Sequence, residues 1–181
     1  MTVIAVAGRR IDSSPDGERF PLRNADLVRG RIGEVFDQFR ARTLVVSAAC
    51  GTDLLAIEAA RMRAIRVRII LPFVASHFRE TSVTDRPGDW GPVYDAAIAD
   101  ARMRNDLLEL SHDDLPEQAA YLAVNERLIA EVWALAAQAG ESALVITATE
   151  GKSHDPADIT ADFERRARET GIAVIHVGTR D

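Results

Sequence analysis

Short apolar runs recur along the chain, and each one predicts a strand. Most positions within a run are apolar, which is typical of a strand that is buried on both faces of a parallel sheet. The runs occupy residues 3–7, 43–48, 67–71, 143–147 and 172–177. The segment DLLEL at residues 106–110 predicts a sixth strand.

Apolar residues between these runs repeat at helical spacing instead. The repeats predict helices over residues 24–40, 53–64, 117–138 and 156–170. Asn24 is expected to cap the first of these helices, and Asp155 the last, where Pro156 suits the first helical position. Gly140 and Gly171 are expected to end the third and fourth.

The regular alternation of strand and helix predicts the fold class. It indicates an α/β protein with a Rossmann-like, doubly wound, mainly parallel sheet of about five to six strands and helices on both faces. No change of composition divides the chain, so a single domain over residues 1–181 is expected. Residues 73–104 interrupt the alternation with an irregular, turn-rich part followed by a predicted helix at 93–104. An insertion of this kind predicts a lid or a binding loop.

Composition narrows the classes of function. A formal charge of -6 disfavours nucleic acid as a partner, because nucleic acid binds through clustered Lys and Arg. The apolar runs are shorter than the roughly 18 residues that a membrane helix needs. The first apolar run precedes its basic residues, the reverse of a secretory signal, so a cytoplasmic protein is expected. Cys50 is the only cysteine, which fits a reducing compartment.

The loops that follow the predicted strands are where a ligand is expected. In open α/β sheets, ligands bind outside the carboxyl ends of the strands, at a topological switch point. The loops there begin at Gly8-Arg9-Arg10, at Ser47, at Pro72 and at Thr149. We expect them to converge.

The loop at residues 47–53 has two interpretations. Small residues and Gly51 lead into a helix, so backbone N–H groups and the helix dipole could hold an anion, with Cys50, Thr52 and Asp53 at the ligand. Alternatively, Gly51 makes the turn while Thr52 or Asp53 caps the helix. The loop by itself favours neither.

Charged residues after two other strands extend the candidate site. Arg9 and Arg10 suit phosphate, which arginine binds through two parallel hydrogen bonds, or they are solvated surface residues. Glu150, beside Gly151, could bind ribose hydroxyls or act as a base, or it is a surface carboxylate.

The remaining candidates give weaker signals. The four histidines lack the spacing of a metal site, so we expect no metal or cofactor, and His176 is interpreted as structural. Trp90 and Tyr94 either stack on a base beneath the insertion or pack in the core, and Trp133 is expected in the core. The segment GKSHDPAD around Lys152 lacks the glycine run of a phosphate-binding loop.

Three segments together resemble a known family. VIAVAGRR, VVSAACGTDLLAIEAA and VRIILPF are similar to the SLOG superfamily, which includes the "lonely guy" cytokinin-activating proteins and the DNA-processing protein A family. The second segment resembles that family's S-G-x-x-x-G-x-D pattern, and LPF followed by HFRETSV resembles a bacterial, signalling-associated branch.

The resemblance implies a Rossmann-like fold and a nucleotide or phospho-sugar pocket. It implies that residues of the loops after the first two strands contact the ligand, namely Gly8, Arg9, Ser47, Gly51 and Asp53. Tyr121 and Asn125, near the start of the helix predicted at 117–138, resemble further pocket positions of the family. The chain departs from the phosphoribohydrolase branch, because ATEGKSHDPADIT stands where that branch has P-G-G-x-G-T-x-x-E. The matching catalytic Glu is therefore missing or moved.

Three functions follow from these observations. The first is binding or sensing of a nucleotide or nucleotide-derived phosphate, reported to a signalling partner. The second is a nucleoside-monophosphate N-glycosidase, with Glu150 or Glu58 as its carboxylate. The third, binding of nucleic acid, is disfavoured by the acidic charge. By analogy with the family, a homodimer is expected.

Overall fold

Six parallel strands form one sheet in a computed structural model, which describes residues 1–151, 155 and 157–181. In chain order they are β1 (Thr2–Gly8), β2 (Ala41–Val46), β3 (Arg66–Leu71), β4 (Leu107–Glu109), β5 (Ser142–Thr149) and β6 (Ala173–Gly178). Their order across the sheet is β4-β3-β2-β1-β5-β6, and each neighbouring pair is parallel. The predicted parallel sheet is confirmed, including its sixth strand.

Helices cover both faces of this sheet. They are α1 (Ala25–Gln38), α2 (Thr52–Arg61), α3 (Ala75–Ser82), α4 (Trp90–Met103), α5 (Glu117–Ala139) and α6 (Ile159–Glu169). The buried side chains of α1 to α4 belong to one core cluster, and those of α6 and most of α5 to another. The Rossmann-like, doubly wound α/β fold is thus confirmed.

Strand β1 shows why the strands are apolar at nearly every position. Ile4 and Val6 point into the core beneath α1 and α2. Val3 and Ala5 point into the opposite core, beneath α5 and α6. Successive side chains of a strand face opposite sides of the sheet, so a central strand covered on both faces must be apolar throughout.

The insertion at residues 73–104 is more regular than its sequence indicates. Its first part contains α3, where an irregular segment was expected, and its second part contains α4, which begins at Trp90 rather than at residue 93. Ala75, Phe78 and Ser82 of α3 are buried at helical spacing. The expectation of an irregular first part is therefore wrong, because contacts with the core stabilise a helix among polar, turn-forming residues.

The predicted capping residues are only partly correct. Asn24 makes no side-chain cap for α1, and its Nδ2 donates instead to the carbonyl oxygen of Thr179, at 3.1 Å. Gly140 and Gly171, with φ of 65° and 77°, follow α5 and α6 as predicted. Left-handed backbone of this kind commonly ends a helix.

The N-terminal cap of α6 is Asp158 rather than Asp155. The Oδ1 atom of Asp158 accepts hydrogen bonds from the backbone N–H groups of Thr160 and Ala161, at 2.9 and 3.1 Å. Asp155 instead accepts from the N–H of Ala157, at 2.9 Å. The predicted role of Pro156 lies outside the described residues.

The strand order locates the topological switch point. From β1 the chain builds β2, β3 and β4 outward on one side, and then crosses to β5 on the other side of β1. Gly8 and Ala148 are register partners where these two strands end. A crevice between the carboxyl ends of β1 and β5 is therefore the expected ligand position.

One structural finding bears on membranes. Within the described ranges, none of the helices combines the length and the apolar character required to cross a bilayer.

Candidate functional site

A cavity of about 420 Å³ opens at this switch point. Loops that follow β1 and α3, the start of α2 and the approach to α6 contribute charged side chains, four basic and four acidic. They are Arg9, Arg10, Arg19, Arg86, Asp12, Asp53, Asp155 and Asp158. Apolar side chains from β1, α3 and α5 line the rest. The cavity therefore combines apolar surface with concentrated charge.

Helix α5 supplies one continuous wall. Tyr121, Val124, Asn125 and Leu128 line the cavity, and their spacing places them on one face of the helix. The Tyr121 hydroxyl is hydrogen-bonded to the Ser82 hydroxyl of α3, and burial raises the pKa of Tyr121 above its ordinary value. The structure thus brings both predicted residues of this helix, Tyr121 and Asn125, to the cavity.

Asn125 also connects two helices. Its Nδ2 donates to the carbonyl oxygen of Ile159, at 2.8 Å, and to Asp162 Oδ2, at 3.0 Å. Because Ile159 and Asp162 belong to the first turn of α6, Asn125 positions the start of that helix beside the cavity. Asn125 therefore influences the shape of the cavity wall by fixing the position of α6.

The loop after β1 packs tightly against its neighbours. A Cβ atom at Gly8 would lie 2.6 Å from the carbonyl oxygen of Ala148 and 2.6 Å from Thr52 Oγ1. Thr52 itself donates to the carbonyl oxygen of Arg9 through its hydroxyl, at 2.9 Å, and through its N–H, at 3.2 Å. Gly8 and Thr52 therefore hold the loop that carries Arg9 in place.

The start of α2 agrees with the interpretation in which Gly51 makes the turn of this loop, except that no side chain caps the helix. Gly51, at φ 94°, is the N-cap residue, and neither Thr52 nor Asp53 caps the helix with its side chain. A Cβ at Gly51 would lie 2.8 Å from the backbone nitrogen of Ile11. The N–H groups of Ala49, Cys50 and Thr52 all donate within the chain. These three N–H groups are therefore not available to an anion in the cavity.

Asp53 is a buried carboxyl group on the cavity wall. Burial raises its pKa to about 7, against the opposing effects of the Ala49 N–H and of Arg10. Cys50 is fully buried, and burial likewise raises the pKa of its thiol, which Arg10 opposes. Ser47 lines the cavity beside Asp53. At neutral pH, Asp53 is therefore divided between its protonated and ionised forms.

The insertion reaches the cavity through the segment between α3 and α4. Asp85 is hydrogen-bonded to the Arg10 guanidinium and lies 3.6 Å from Arg86 Nε. Arg86 also donates to the carbonyl oxygen of Ile11, at 3.2 Å. Arg10 Nε is buried, and no described residue accepts a hydrogen bond from it. The insertion thus forms part of the cavity wall, in the place where a lid was predicted.

Two arginines and two carboxylates form a charge cluster at the border of the cavity. Arg9 Nε lies 2.6 Å from Glu150 Oε2, and Arg9 Nη2 lies 2.6 Å from Asp158 Oδ2. Arg19 Nε lies 2.7 Å from Glu150 Oε1. Burial alone would raise the pKa of Glu150, but hydrogen bonds from Arg9, its own backbone N–H and Arg19 hold it below the ordinary value.

A second cavity, of about 790 Å³, lies on the other side of this cluster. Arg9, Asp158 and Thr160 line both cavities. Glu150 and Gly151 line the second one, next to α6 and β6. The predicted residues Glu150 and Gly151 are therefore adjacent to the first cavity across the charge cluster.

Several other predicted residues lie elsewhere. Glu58 faces α1, where its carboxylate is 3.6 Å from Arg29, so it does not belong to the cavity.

The aromatic candidates have structural positions. Trp90 and Tyr94 are buried and hydrogen-bond to backbone carbonyls, consistent with packing. Trp133 is 55% exposed, so the expectation that it lies in the core is wrong. His176 contacts Thr147 Oγ1 at 2.8 Å, which fits a structural role.

Several residues of the site were not predicted from the sequence. Among them are Arg19, Phe78, Ser82, Arg86 and Asp158. Asp158 carries a signal, because it directly precedes Ile159, the first apolar residue of the helical repeat. Across the described ranges, no group of three or more His, Cys, Asp and Glu residues is arranged to hold a metal ion.

Comparisons with known proteins give one structural likeness. No protein-family profile matches the sequence, and no curated protein matches it. Among solved structures, DNA processing protein A (DprA) from Streptococcus pneumoniae superposes with a TM-score of 0.41 and 13% identity, over 96% of this chain and 58% of that chain. This chain thus spans less than two thirds of the length of DprA. The predicted signalling-associated branch stays a prediction.

Proposed function

We propose that the cavity at the switch point binds a nucleotide or a nucleotide-derived phosphate, and that the protein senses this ligand. The observation that carries the proposal is the lining of the cavity, where four arginines and four aspartates meet the largely apolar face of α5. Ligand pockets in proteins are mostly apolar with a few convergent polar groups, and in sheets of this kind they occur at the switch point.

The arginines suit the phosphate end of such a ligand. Arg10 combines a buried Nε, to which no described residue offers an acceptor, with a location on the cavity wall. A buried donor without an acceptor is unfavourable, and a charged acceptor oxygen relieves that cost. Arg86 is within the same group, since both arginines contact Asp85. We infer that Arg10 donates one of the hydrogen bonds to a ligand phosphate in this cavity.

The apolar wall suits the base. Phe78, Tyr121, Val124 and Leu128 line the cavity, and Phe78 and Tyr121 are in edge-to-face contact, with ring centroids 6.5 Å apart. Aromatic and aliphatic side chains bind the flat faces of bases without requiring a particular hydrogen-bond pattern. The cavity volume of about 420 Å³ lies in the lower part of the range for small-molecule sites, which favours a mononucleotide.

Sensing is favoured over turnover by the state of Glu150. Arg9 and Arg19 bind one oxygen each of its carboxylate and lower its pKa, so both oxygens are occupied and the group is a poor base. The sequence also lacks the P-G-G-x-G-T-x-x-E loop of the phosphoribohydrolase branch. We further propose that the ligand-bound form acts on a partner protein, and that the chain forms a homodimer.

One observation supports a second function, a nucleoside-monophosphate N-glycosidase. Asp53 lines the cavity and has a pKa of about 7, close to the value at which a group can hold and release a proton under neutral conditions. In such an enzyme Asp53 would give a proton to the leaving base as its bond to the sugar breaks. A water molecule would then bond to the anomeric carbon and return a proton to Asp53. This assigns the catalytic carboxyl to Asp53 in place of Glu150 or Glu58.

A ligand screen tests both functions at once. The purified protein is incubated with AMP, ADP-ribose, NAD and cyclic and deoxy nucleotides, and each mixture is examined by thermal shift and by chromatography for released base. A ligand that binds the folded state raises the melting temperature. A shift without released base supports sensing, released base supports the glycosidase, and the absence of both for every compound contradicts the proposal.

A matched pair of variants locates the binding. Arg10→Ala removes the buried donor, so the affinity for the stabilising ligand should fall by about tenfold or more, the effect of losing a hydrogen bond to a charged group. Arg61→Ala removes an arginine that is exposed on α2 and serves as the control. Equal affinity in the two variants would place the ligand elsewhere.

A further inference from the structure

We propose that Arg9 and Arg19 form the subsite for the ligand's phosphate, and that the carboxylate of Glu150 occupies this subsite until the ligand displaces it. The proposal rests on the ligand cavity argued above and adds to it a specific exchange. It identifies two residues, Arg19 and Glu150, that decide whether an anion can enter.

The geometry shows one carboxylate held by two arginines. Glu150 Oε2 accepts from Arg9 Nε at 2.6 Å, and Glu150 Oε1 accepts from Arg19 Nε at 2.7 Å. Both arginines line the first cavity, whereas Glu150 approaches them from the side of the second cavity. Two guanidinium groups directed at a pair of oxygens suit a phosphate equally well.

Glu150, rather than Asp158, is the carboxylate that can leave. Asp158 is 3% exposed, and its Oδ1 caps α6 while its Oδ2 faces Arg9. Moving it would expose the end of a helix and leave a buried arginine with less compensation. Glu150 is 19% exposed and contacts Arg19, which is itself 55% exposed. A longer, more accessible side chain can exchange without disturbing α6.

The second cavity offers a position for the displaced side chain. It adjoins Glu150 and is lined by Arg165 and Arg168 of α6. These arginines already pair with Glu169 and Glu164, which line the same cavity, so the displaced carboxylate is stabilised there mainly by its exposure to solvent. The exchange therefore moves Glu150 from the two arginines of the subsite to a more solvated position.

The exchange makes the site selective for phosphorylated ligands. A phosphate carries nearly two negative charges at neutral pH and three acceptor oxygens, so it can compete with a carboxylate for two arginines. A nucleoside without phosphate offers no anion and leaves the Glu150 contacts in place. We call the form in which Glu150 occupies the subsite the closed form. Because closed molecules cannot bind the ligand, the apparent affinity is reduced to the intrinsic affinity multiplied by the fraction of molecules that are open.

Calorimetric titration of AMP and of inorganic phosphate into Glu150→Gln tests the exchange. Gln keeps the size of the side chain and removes its charge, so the affinity for both compounds should rise about tenfold if roughly nine molecules in ten are closed before binding. Asp26→Asn is the matched control, because Asp26 is 86% exposed on α1 and the net charge changes equally. Arg19→Ala should bind AMP more weakly than the wild type.

Each outcome of the titration decides a separate point. Tighter binding in Glu150→Gln but not in Asp26→Asn supports the exchange. If the wild type binds AMP and phosphate, and Glu150→Gln binds them equally tightly or more weakly, the exchange is overturned and the ligand cavity remains supported. If neither protein binds AMP or phosphate, the exchange and the mononucleotide cavity both fail. Should Glu150→Gln not fold, Glu150→Asp takes its place, since its shorter side chain retracts from the arginines and the same expectations apply.

Discussion

Thr52 Oγ1 donates a hydrogen bond of 2.9 Å to the carbonyl oxygen of Arg9, which joins the start of α2 to the loop after β1. Thr52 is buried, so this bond is protected from competition with water. The backbone of Arg9 is thereby fixed by the neighbouring loop, while its guanidinium extends to Glu150 and Asp158. Packing between two strand-end loops thus positions the central charged residue of the site.

Gly51→Ala should disrupt this packing. Gly51 has φ of 94°, and an added Cβ would lie 2.8 Å from the backbone nitrogen of Ile11 and 2.9 Å from the carbonyl oxygen of Arg9. Backbone strain and overlap with main-chain atoms should lower the free energy of unfolding by about 3 kcal/mol or more. Chemical denaturation monitored by circular dichroism measures the change.

Gly30→Ala provides the control for this substitution. Gly30 lies within α1, and a Cβ there meets no atom within 4 Å. Alanine is a better helix former, so this variant should be stabilised by about 0.5–1 kcal/mol. Similar effects of the two substitutions would mean that the close approach at Gly51 does not determine stability.

Asp53→Asn should change how stability depends on pH. In the folded protein the pKa of Asp53 is raised from 3.8 to about 7, mainly by burial. Between these values the folded state holds a proton that the unfolded state has released, so stability falls as pH rises, by roughly 1.4 kcal/mol per pH unit for this group. Asn can still accept from the Ala49 N–H but does not titrate.

The difference between the two proteins isolates this effect. The stability of Asp53→Asn relative to the wild type should increase from pH 4 to pH 7 and then remain constant, as measured by urea denaturation at each pH. Other titrating groups are common to both proteins and cancel. A relative stability that is independent of pH would show that Asp53 is ionised in the folded state throughout this range.

Two substitutions at Asp158 should separate its two roles. Asp158→Asn keeps an acceptor for the N–H groups of Thr160 and Ala161 but loses the charge opposite Arg9, whereas Asp158→Ala loses both. Loss of an N-cap costs about 1 kcal/mol, so Asp158→Ala should be less stable than Asp158→Asn by about that amount. Thermal denaturation compares them. Equal stability would exclude the capping role.

The two tryptophans should respond differently to substitution. Trp90 is 6% exposed and Trp133 is 55% exposed. Trp90→Ala should cost about 3–5 kcal/mol, as for other buried aromatic residues, whereas Trp133→Ala should change stability by less than about 0.5 kcal/mol. Acrylamide should quench the fluorescence of Trp133 in the Trp90→Phe variant more strongly than that of Trp90 in the Trp133→Phe variant. Equal quenching would contradict these positions.

Much of the fold could be predicted because the signals are local. Each strand is a short apolar run, and α1, α5 and α6 show apolar residues at helical spacing. Helix α3 was missed because its sequence, ASHFRETS, is mostly polar, and the buried positions of Phe78 and Ser82 depend on contacts with distant parts of the chain. The expectation for Trp133 fails for the opposite reason. This apolar residue belongs to a helix with clear apolar periodicity, yet its side chain faces solvent.

The site could be predicted only in part for a similar reason. Strand ends identify Arg9, Arg10 and Glu150, because parallel strands place the loops that follow them at one edge of the sheet. The partners of these residues are set by three-dimensional contacts. Arg19 and Glu150 are 131 positions apart in sequence, and a sequence pattern has no means to pair them.

The most direct test of the ligand cavity is a crystal structure of the protein grown with a saturating concentration of AMP. We predict electron density for the phosphate between Arg9, Arg10 and Arg19, with the base against Tyr121 and Leu128. Ordered AMP bound at another surface, or a first cavity that contains only solvent while AMP occupies the second cavity, would contradict the account.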